Sequence, residues 1–335
     1  MADTVPSAVP RRRPVHVGWE TMLAVILAGS IALGRLLSPV FLQTDNLSNI
    51  LLDITEISLM ALPMTLIIVT GEIDLSVASV LGASSALMGV VWHAGLPMPL
   101  VIALVVAGGA AAGALNGWLV VGLELPSLAV TIGTLALFRG LAYVLLGDQA
   151  VADFPASYTA FGMSTLGATF VPEPFAIVIV GAVLFAVVLH ATPFGRSLYA
   201  IGANASAARF SGIDVRNAKF RLFVLSGLVS AVAGIIFTLR FTSARGDNGE
   251  GFELAVIAAV LFGGVSIFGG RGSLYGVLLS LAIVGVLRNA LTLVDVSSET
   301  LTIVTGLLLL SSVLIPNLLT GWRARREKRL VVARR

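Results

Sequence analysis

FGRSLYAIGANASAARFSGIDVRNAKFR (Phe194–Arg221) is the one long basic, small-residue-rich segment of an otherwise apolar chain. It sets Arg196, Arg209, Arg216, Lys219 and Arg221 against a single Asp214. On either side lie uncharged apolar runs, 176–188 and 222–239, each long enough with its flanks to be a membrane helix. A charged loop between two spans belongs in water, and its positive balance places it on the cytoplasmic side. Within it, the small and apolar positions 205–208 and 210–213 predict one or two helical turns shaped to dock into a groove on a partner. On composition alone a solvated connector is the alternative.

Outward from that segment, the chain has 335 residues, of which 57% are hydrophobic and only 12% charged, with a mean hydropathy of +0.99. Soluble proteins carry about 25% charged residues, so the composition predicts an all-α polytopic membrane protein. The 35 glycines suit close helix approach in a membrane. Ten spans are expected: 19–37, 47–70, 75–92, 99–122, 125–146, 173–190, 222–242, 254–268, 274–294 and 300–319. The first is too long for a cleaved signal sequence, so it reads as a retained span behind a polar tail, residues 1–18. A basic tail, 320–335, follows the last span and suits anionic lipid at the cytoplasmic face. Starting inside, ten spans return both termini to the cytoplasm. All but five of the 21 lysines and arginines (Arg35, Arg139, Arg240, Arg245 and Arg288) then fall on the cytoplasmic side, as the positive-inside rule requires. The basic balance therefore sets topology and gives no reason to expect nucleic acid.

Chemistry is sparse. The chain has no cysteine and three scattered histidines, so no metal site is expected. No phosphate-binding loop of the G-x-x-x-x-G-K-[ST] type occurs, so ATP and Mg²⁺ would belong to a partner and this chain is not itself an enzyme. The spans are interrupted at Glu72 and Asp74, where Asp74 with Ser76 predicts a cap for a helix from Leu75, and at Gly269 and Gly270; these breaks are candidate gating points. Glu56, Arg139 and Arg288 lie deepest among span charges and are either solute contacts or buried pairs, Glu56 with Arg139 for instance. Asn116, Asn289 and Arg139 are candidates for the solute path, although the two amides would serve equally well to bridge helices.

Four stretches, TGEIDLSVASVLGASSAL (70–87), GALNGWLVVGLELPSLAVTIGTLALFRGLAY (113–143), TPFGRSLYAIGANASAARFSGIDV (192–215) and ELAVIAAVLFGGVSIFGGRGSLYGVLLSLAIVGVLRNAL (253–291), resemble in order the signatures of the ribose-type ABC sugar importer permeases. Within that family the chain is most similar to the rhamnose and autoinducer-2 permeases. The resemblance implies a bacterial inner-membrane protein that works with a second permease subunit, a tandem-domain ATPase and an external sugar-binding protein, carrying a neutral monosaccharide or furanosyl signal. It departs from the family pattern at Glu72, where a glycine pair is usual, and at Glu124, in a turn that is often basic. A permease without its own nucleotide site must receive work through a short, rigid cytoplasmic element. Arg196, Asn204, Ala207, Ala208, Arg209, Ser211 and Gly212 are the expected contacts with the ATPase, with Gly212 ending the helix. A self-sufficient secondary transporter or channel is the competing reading, and it would call for coupling carboxylates in broken helices instead.

Overall fold

The computed structural model describes residues 18–307 except 148, 298, 302, 304 and 305. Five helices come before the long polar connection: α1 (Trp19–Leu37), α2 (Thr44–Val69), α3 (Val77–His93), α4 (Met98–Gly122) and α5 (Ser127–Leu146). A short α6 (Ala156–Met163) lies within that connection. Then come α7 (Glu173–Ala186) with a π-helical turn (Val187–Ala191), α8 (Pro193–Ala203), α9 (Ala205–Phe210), α10 (Val215–Phe241), α11 (Phe252–Phe262) and α12 (Leu274–Thr292). Seven of these, α1, α2, α4, α5, α7 with its π turn, α10 and α12, are long and apolar enough to cross a membrane. The apolar α3 and α11 are shorter. The chain is a polytopic all-α membrane protein.

The centre is α2. From Leu59 to Thr70 every residue is buried, and Pro63 sits inside the helix without ending it. The closest helix contact is between α4 and α10, and it is a contact of backbones. A Cβ at Gly113 would lie 2.2 Å from the Phe223 carbonyl oxygen, and one at Gly227 would lie 2.2 Å from that of Gly109. Because lipid supplies no hydrophobic drive between helices, such small-residue contacts hold them together by packing.

Charge and connectivity sort to opposite ends. Residues 70–74, 123–126, 194–221 and 263–273 gather at one end, here called the basic end, where Lys219 pairs with Glu72 and the Gly270 N–H donates to the Val69 carbonyl at 2.9 Å. At the other end the 147–172 connection meets the α10–α11 link through the Val151–Ala244 bridge, and the Trp92 indole donates to the Asp153 carbonyl at 3.1 Å.

Several sequence expectations are corrected in detail. The eighth span ends at Phe262, not 268, because Gly264 turns the chain at φ +91° with its α-carbon against the Trp19 ring. At a rise of about 1.5 Å per residue, eleven residues reach about 16 Å, half the hydrocarbon thickness. The third span begins at Val77 rather than Leu75, because the Asp74 carboxylate holds residues 74–76 in a turn, accepting from the Ser76 N–H at 3.0 Å and its hydroxyl at 2.6 Å. The seventh span starts seven residues early, so Arg216, Lys219 and Arg221 are the first turns of α10 and not loop. The tails 1–17 and 320–335, and all but the start of the tenth span, lie outside the described residues.

Candidate functional site

The 194–221 segment folds as a two-helix elbow. Thr192 caps α8, its hydroxyl accepting from the Gly195 N–H at 3.1 Å. Asn204 is at once the last residue after α8 and the cap of α9, its extended backbone (φ −165°) breaking the helix while its side chain accepts from the Ala207 N–H at 2.9 Å. At the far end, the Ile213 N–H returns to the Ala208 carbonyl at 3.1 Å and the Gly212 N–H to that of Arg209 at 3.0 Å. These two bonds form a Schellman stop, with Gly212 at φ +83° in the left-handed position that a side chain resists. Asp214 then caps α10, accepting from the Asn217 N–H at 3.0 Å. That bond, and behind it Arg221 and Arg216, holds the Asp214 carboxyl below its ordinary range. Every end within the elbow thus has its own stop, which keeps a six-residue helix rigid.

What the elbow shows to solvent differs from expectation at one position. Arg196, Asn204, Ala207, Arg209, Ser211 and Gly212 are exposed, but Ala208 is buried and joins the core with Val215 and Ala218. Ala208 is therefore a packing residue and not a contact surface. The outstanding side chain is Phe210, 94% exposed on the outer face of α9. An aromatic residue amid polar neighbours was the signal for it in the sequence, and the expected contact set omits it.

The elbow sits directly on both helix breaks. A Cβ on Gly202 would lie 1.9 Å from the Val69 carbonyl oxygen and 2.4 Å from the Gly270 nitrogen. The Tyr199 hydroxyl donates to the Gly272 carbonyl at 2.8 Å. Gly269 and Gly270, at φ +78° and +71°, carry the turn past α8. The elbow therefore touches at once the end of α2 and the turn that leads into α12. Beside it opens a cavity of about 710 Å³ lined by Glu72, Glu124, Arg209, Asp214, Arg216 and Lys219 among others. Glu72 and Glu124, the two positions at which the sequence resemblance lapses, both line this hollow.

Deeper lies a buried polar node. The Asp74 carboxylate also accepts from the Ser226 hydroxyl of α10 at 2.8 Å, and the Asn116 amide donates to the Ser76 hydroxyl at 2.8 Å. Asp74, Ser76, Asn116 and Ser226 thus tie the α2–α3 break to α4 and α10. Asn289 is elsewhere, in a reciprocal amide pair with Asn46 at 2.9 Å each way, joining α12 to α2. Glu56 pairs with Arg240, not Arg139, and Arg240 also reaches Asp53 and the Leu52 carbonyl. Arg139 instead donates to the carbonyls of Gly246, Asn248 and Ala78. The three candidates for a solute path, Asn116, Arg139 and Asn289, therefore occupy three separate sites. Among the described residues no group of three or more His, Asp or Glu side chains is placed to hold a metal ion.

A family model described as the permease component of branched-chain amino acid transport systems matches residues 46–313. The autoinducer 2 import system permease protein LsrD of Yersinia enterocolitica is 34% identical over 326 residues, covering 94% of this chain and 98% of that one. The LsrD proteins of Yersinia pseudotuberculosis and Escherichia coli K12 are also 34% identical, over 324 and 303 residues, covering 93% and 88% of this chain. The corresponding coverage of those relatives is 97% and 91%. No solved structure matches the chain. With that match over most of its length, and with membrane helices that end in a capped elbow, the chain belongs to the family of importer permease components.

Proposed function

We propose that this chain is the non-catalytic permease subunit of a bacterial ABC importer that carries autoinducer-2 or a similarly small neutral polyhydroxylated solute. On this reading a separate ATPase grips the α8–α9 elbow in the cytoplasm, a second permease completes the path and an external binding protein delivers the solute. The observation that carries it is the elbow: a short helix stopped at both ends, with Phe210, Arg196 and Arg209 outward and Gly202 seated against both helix breaks. The names of the relatives support the choice of solute. The span charges Asp53, Glu56, Arg139 and Arg240 find partners inside the protein, which suits a neutral cargo.

One feature suits a self-sufficient secondary transporter, the buried carboxylate of Asp74 at a helix break. Its oxygens are taken up by the Ser76 and Ser226 hydroxyls, as expected of a helix tether. The two readings part on the energy source. Cells expressing the chain with its ATPase and binding protein should take up labelled autoinducer-2, and a hydrolysis-dead ATPase should abolish that uptake. Uptake that survives the dead ATPase and collapses with a protonophore overturns the importer reading.

A further inference from the structure

The short acidic-polar link between α10 and α11, SARGDNGEGFE, falls on the outer side in the ten-span topology, yet it runs down the side of α3. Ala244 lies against Gly89 and Gly249 against Leu81, eight residues further along that helix, a descent of about 12 Å. The half-length α11 completes the crossing from there. Irregular backbone at such depth is tolerated only where it is enclosed in protein or lines water, and its inner side is enclosed. On the inner side the Arg139 guanidinium of α5 passes over Gly82, where a Cβ would lie 2.5 Å from its Nη1. It donates to the Gly246 carbonyl at 2.7 Å and the Asn248 carbonyl at 2.9 Å. The Asn248 amide donates to the Ser85 hydroxyl at 2.8 Å, which also receives the Thr238 hydroxyl at 2.7 Å. On the outer side stand Arg245 and Asp247, in a bidentate pair at 2.8 Å, and the exposed Glu250. Charges at this depth are unfavourable against lipid by several kcal/mol and must face water.

From these contacts we infer that residues 243–251 form a re-entrant loop lining the outer half of the solute path, and that Arg139 positions this loop without touching the solute. The inference rests on the transport role proposed above. It assigns Arg245, Asp247 and Glu250 as the groups that meet the hydroxyls of a neutral polyol on its way inward, since a carboxylate accepts from hydroxyls and a guanidinium donates to them. Arg139 has the geometry for its role. It begins 12 residues into α5, it is half-buried, and its two shorter bonds go to backbone carbonyls of one non-helical segment, while a third, to the Ala78 carbonyl at 3.3 Å, anchors the guanidinium on α3.

The absence of cysteine makes the test direct. Glu250→Cys and, as an exposed external control, Ala94→Cys are labelled in intact cells with a charged, membrane-impermeant methanethiosulfonate. Ala94→Cys should react fast and Glu250→Cys slowly but fully. Adding Arg139→Gln should raise the Glu250→Cys rate by about tenfold or more, the change expected from losing a charge-assisted hydrogen bond. Arg139→Lys should fall between, and the Ala94→Cys rate should not move in any background. A purely structural role for Arg139 would lower protein yield without this selective rise. Reaction of Glu250→Cys only with a lipid-permeant maleimide places the loop against lipid and overturns the inference, as does an unchanged rate in Arg139→Gln. Labelling as expected, where the unsubstituted chain imports nothing with its ATPase present, leaves the loop standing and overturns the transport reading alone.

Discussion

Phe210 offers the sharpest test of the elbow. Its side chain is 94% exposed on α9, so its replacement removes no internal contact, and alanine is if anything the better helix former. If the ring enters a cleft on the ATPase, its burial contributes about 2 kcal/mol to the complex. At about 1.4 kcal/mol per tenfold, Phe210→Ala should then weaken ATPase binding by about 30-fold. The permease variant, purified in lipid nanodiscs, is titrated with the ATPase and Kd is read beside the thermal stability of the permease alone. Stability should be unchanged while affinity falls, and stimulation of ATP hydrolysis by loaded binding protein should fall with it. Arg209→Ala, at the rim of the same face, should slow association more than it changes affinity. An unchanged Kd for Phe210→Ala would falsify the placement of the ring in the interface. Ala208→Trp is not a substitute for this test, since Ala208 is buried in the permease itself and a larger side chain there destabilises by overpacking.

Four further outcomes follow from the packing. Gly202→Ala should uncouple the elbow, because its methyl would meet the Val69 carbonyl and the Gly270 backbone; loss of uptake with retained membrane insertion is the expected result, and parental uptake counts against the seat. Lys219→Gln and Glu72→Gln should each destabilise, and the double variant should recover part of the loss, with a coupling of about 1–3 kcal/mol in a double-mutant cycle for this largely buried pair; additive losses would remove the pair from the account. Asn46→Leu and Asn289→Leu should lower thermal stability modestly, by about 0.6 kcal/mol for a membrane amide contact, and leave the KM for uptake unchanged; a raised KM would put Asn289 back in the solute path. The bonds that hold Asp214 below the ordinary carboxylate value of 3.8 contribute stability that is complete above that value and lost as pH falls through the lowered one. Elbow order, read by the mobility of a spin label attached at Ser211→Cys, should therefore be flat from pH 8 to 5, and Asp214→Ala should disturb it at pH 7.

Much of this architecture is legible in hydropathy and charge alone. Long apolar helices such as α4 and α10 announce themselves, and the basic segment between α7 and α10 marks the elbow and one end of the molecule. Gly212 announces a stop, and it acts as one. The orientation of α9 was beyond reach, because six residues are too few for a helical period to show that Ala208 turns in and Phe210 out. The partner of Glu56 was equally hidden, since Arg240 and Arg139 are both distant in sequence and only the packing of α2 against α10 selects between them. Hydropathy also merges α11 with the apolar turn that follows it, and it reads SARGDNGEGFE as an external link, because a polar loop lining water inside a protein has the same composition as one outside it.

The π-helical turn Val187–Ala191 gives the span before the elbow a slack of one residue. In an ordinary helix each residue advances the following structure by about 100° around the axis, so one residue more or fewer would swing α8 away from Val69 and Gly270. A π turn absorbs such a residue locally. Here the absorbed residue lies directly against the elbow, with the Leu189 carbonyl oxygen 2.0 Å from where a Cβ on Gly195 would stand. The span and the elbow can thus be phased independently: the membrane sets the length of one, the seat on Val69 and Gly270 the heading of the other, and five residues reconcile the two.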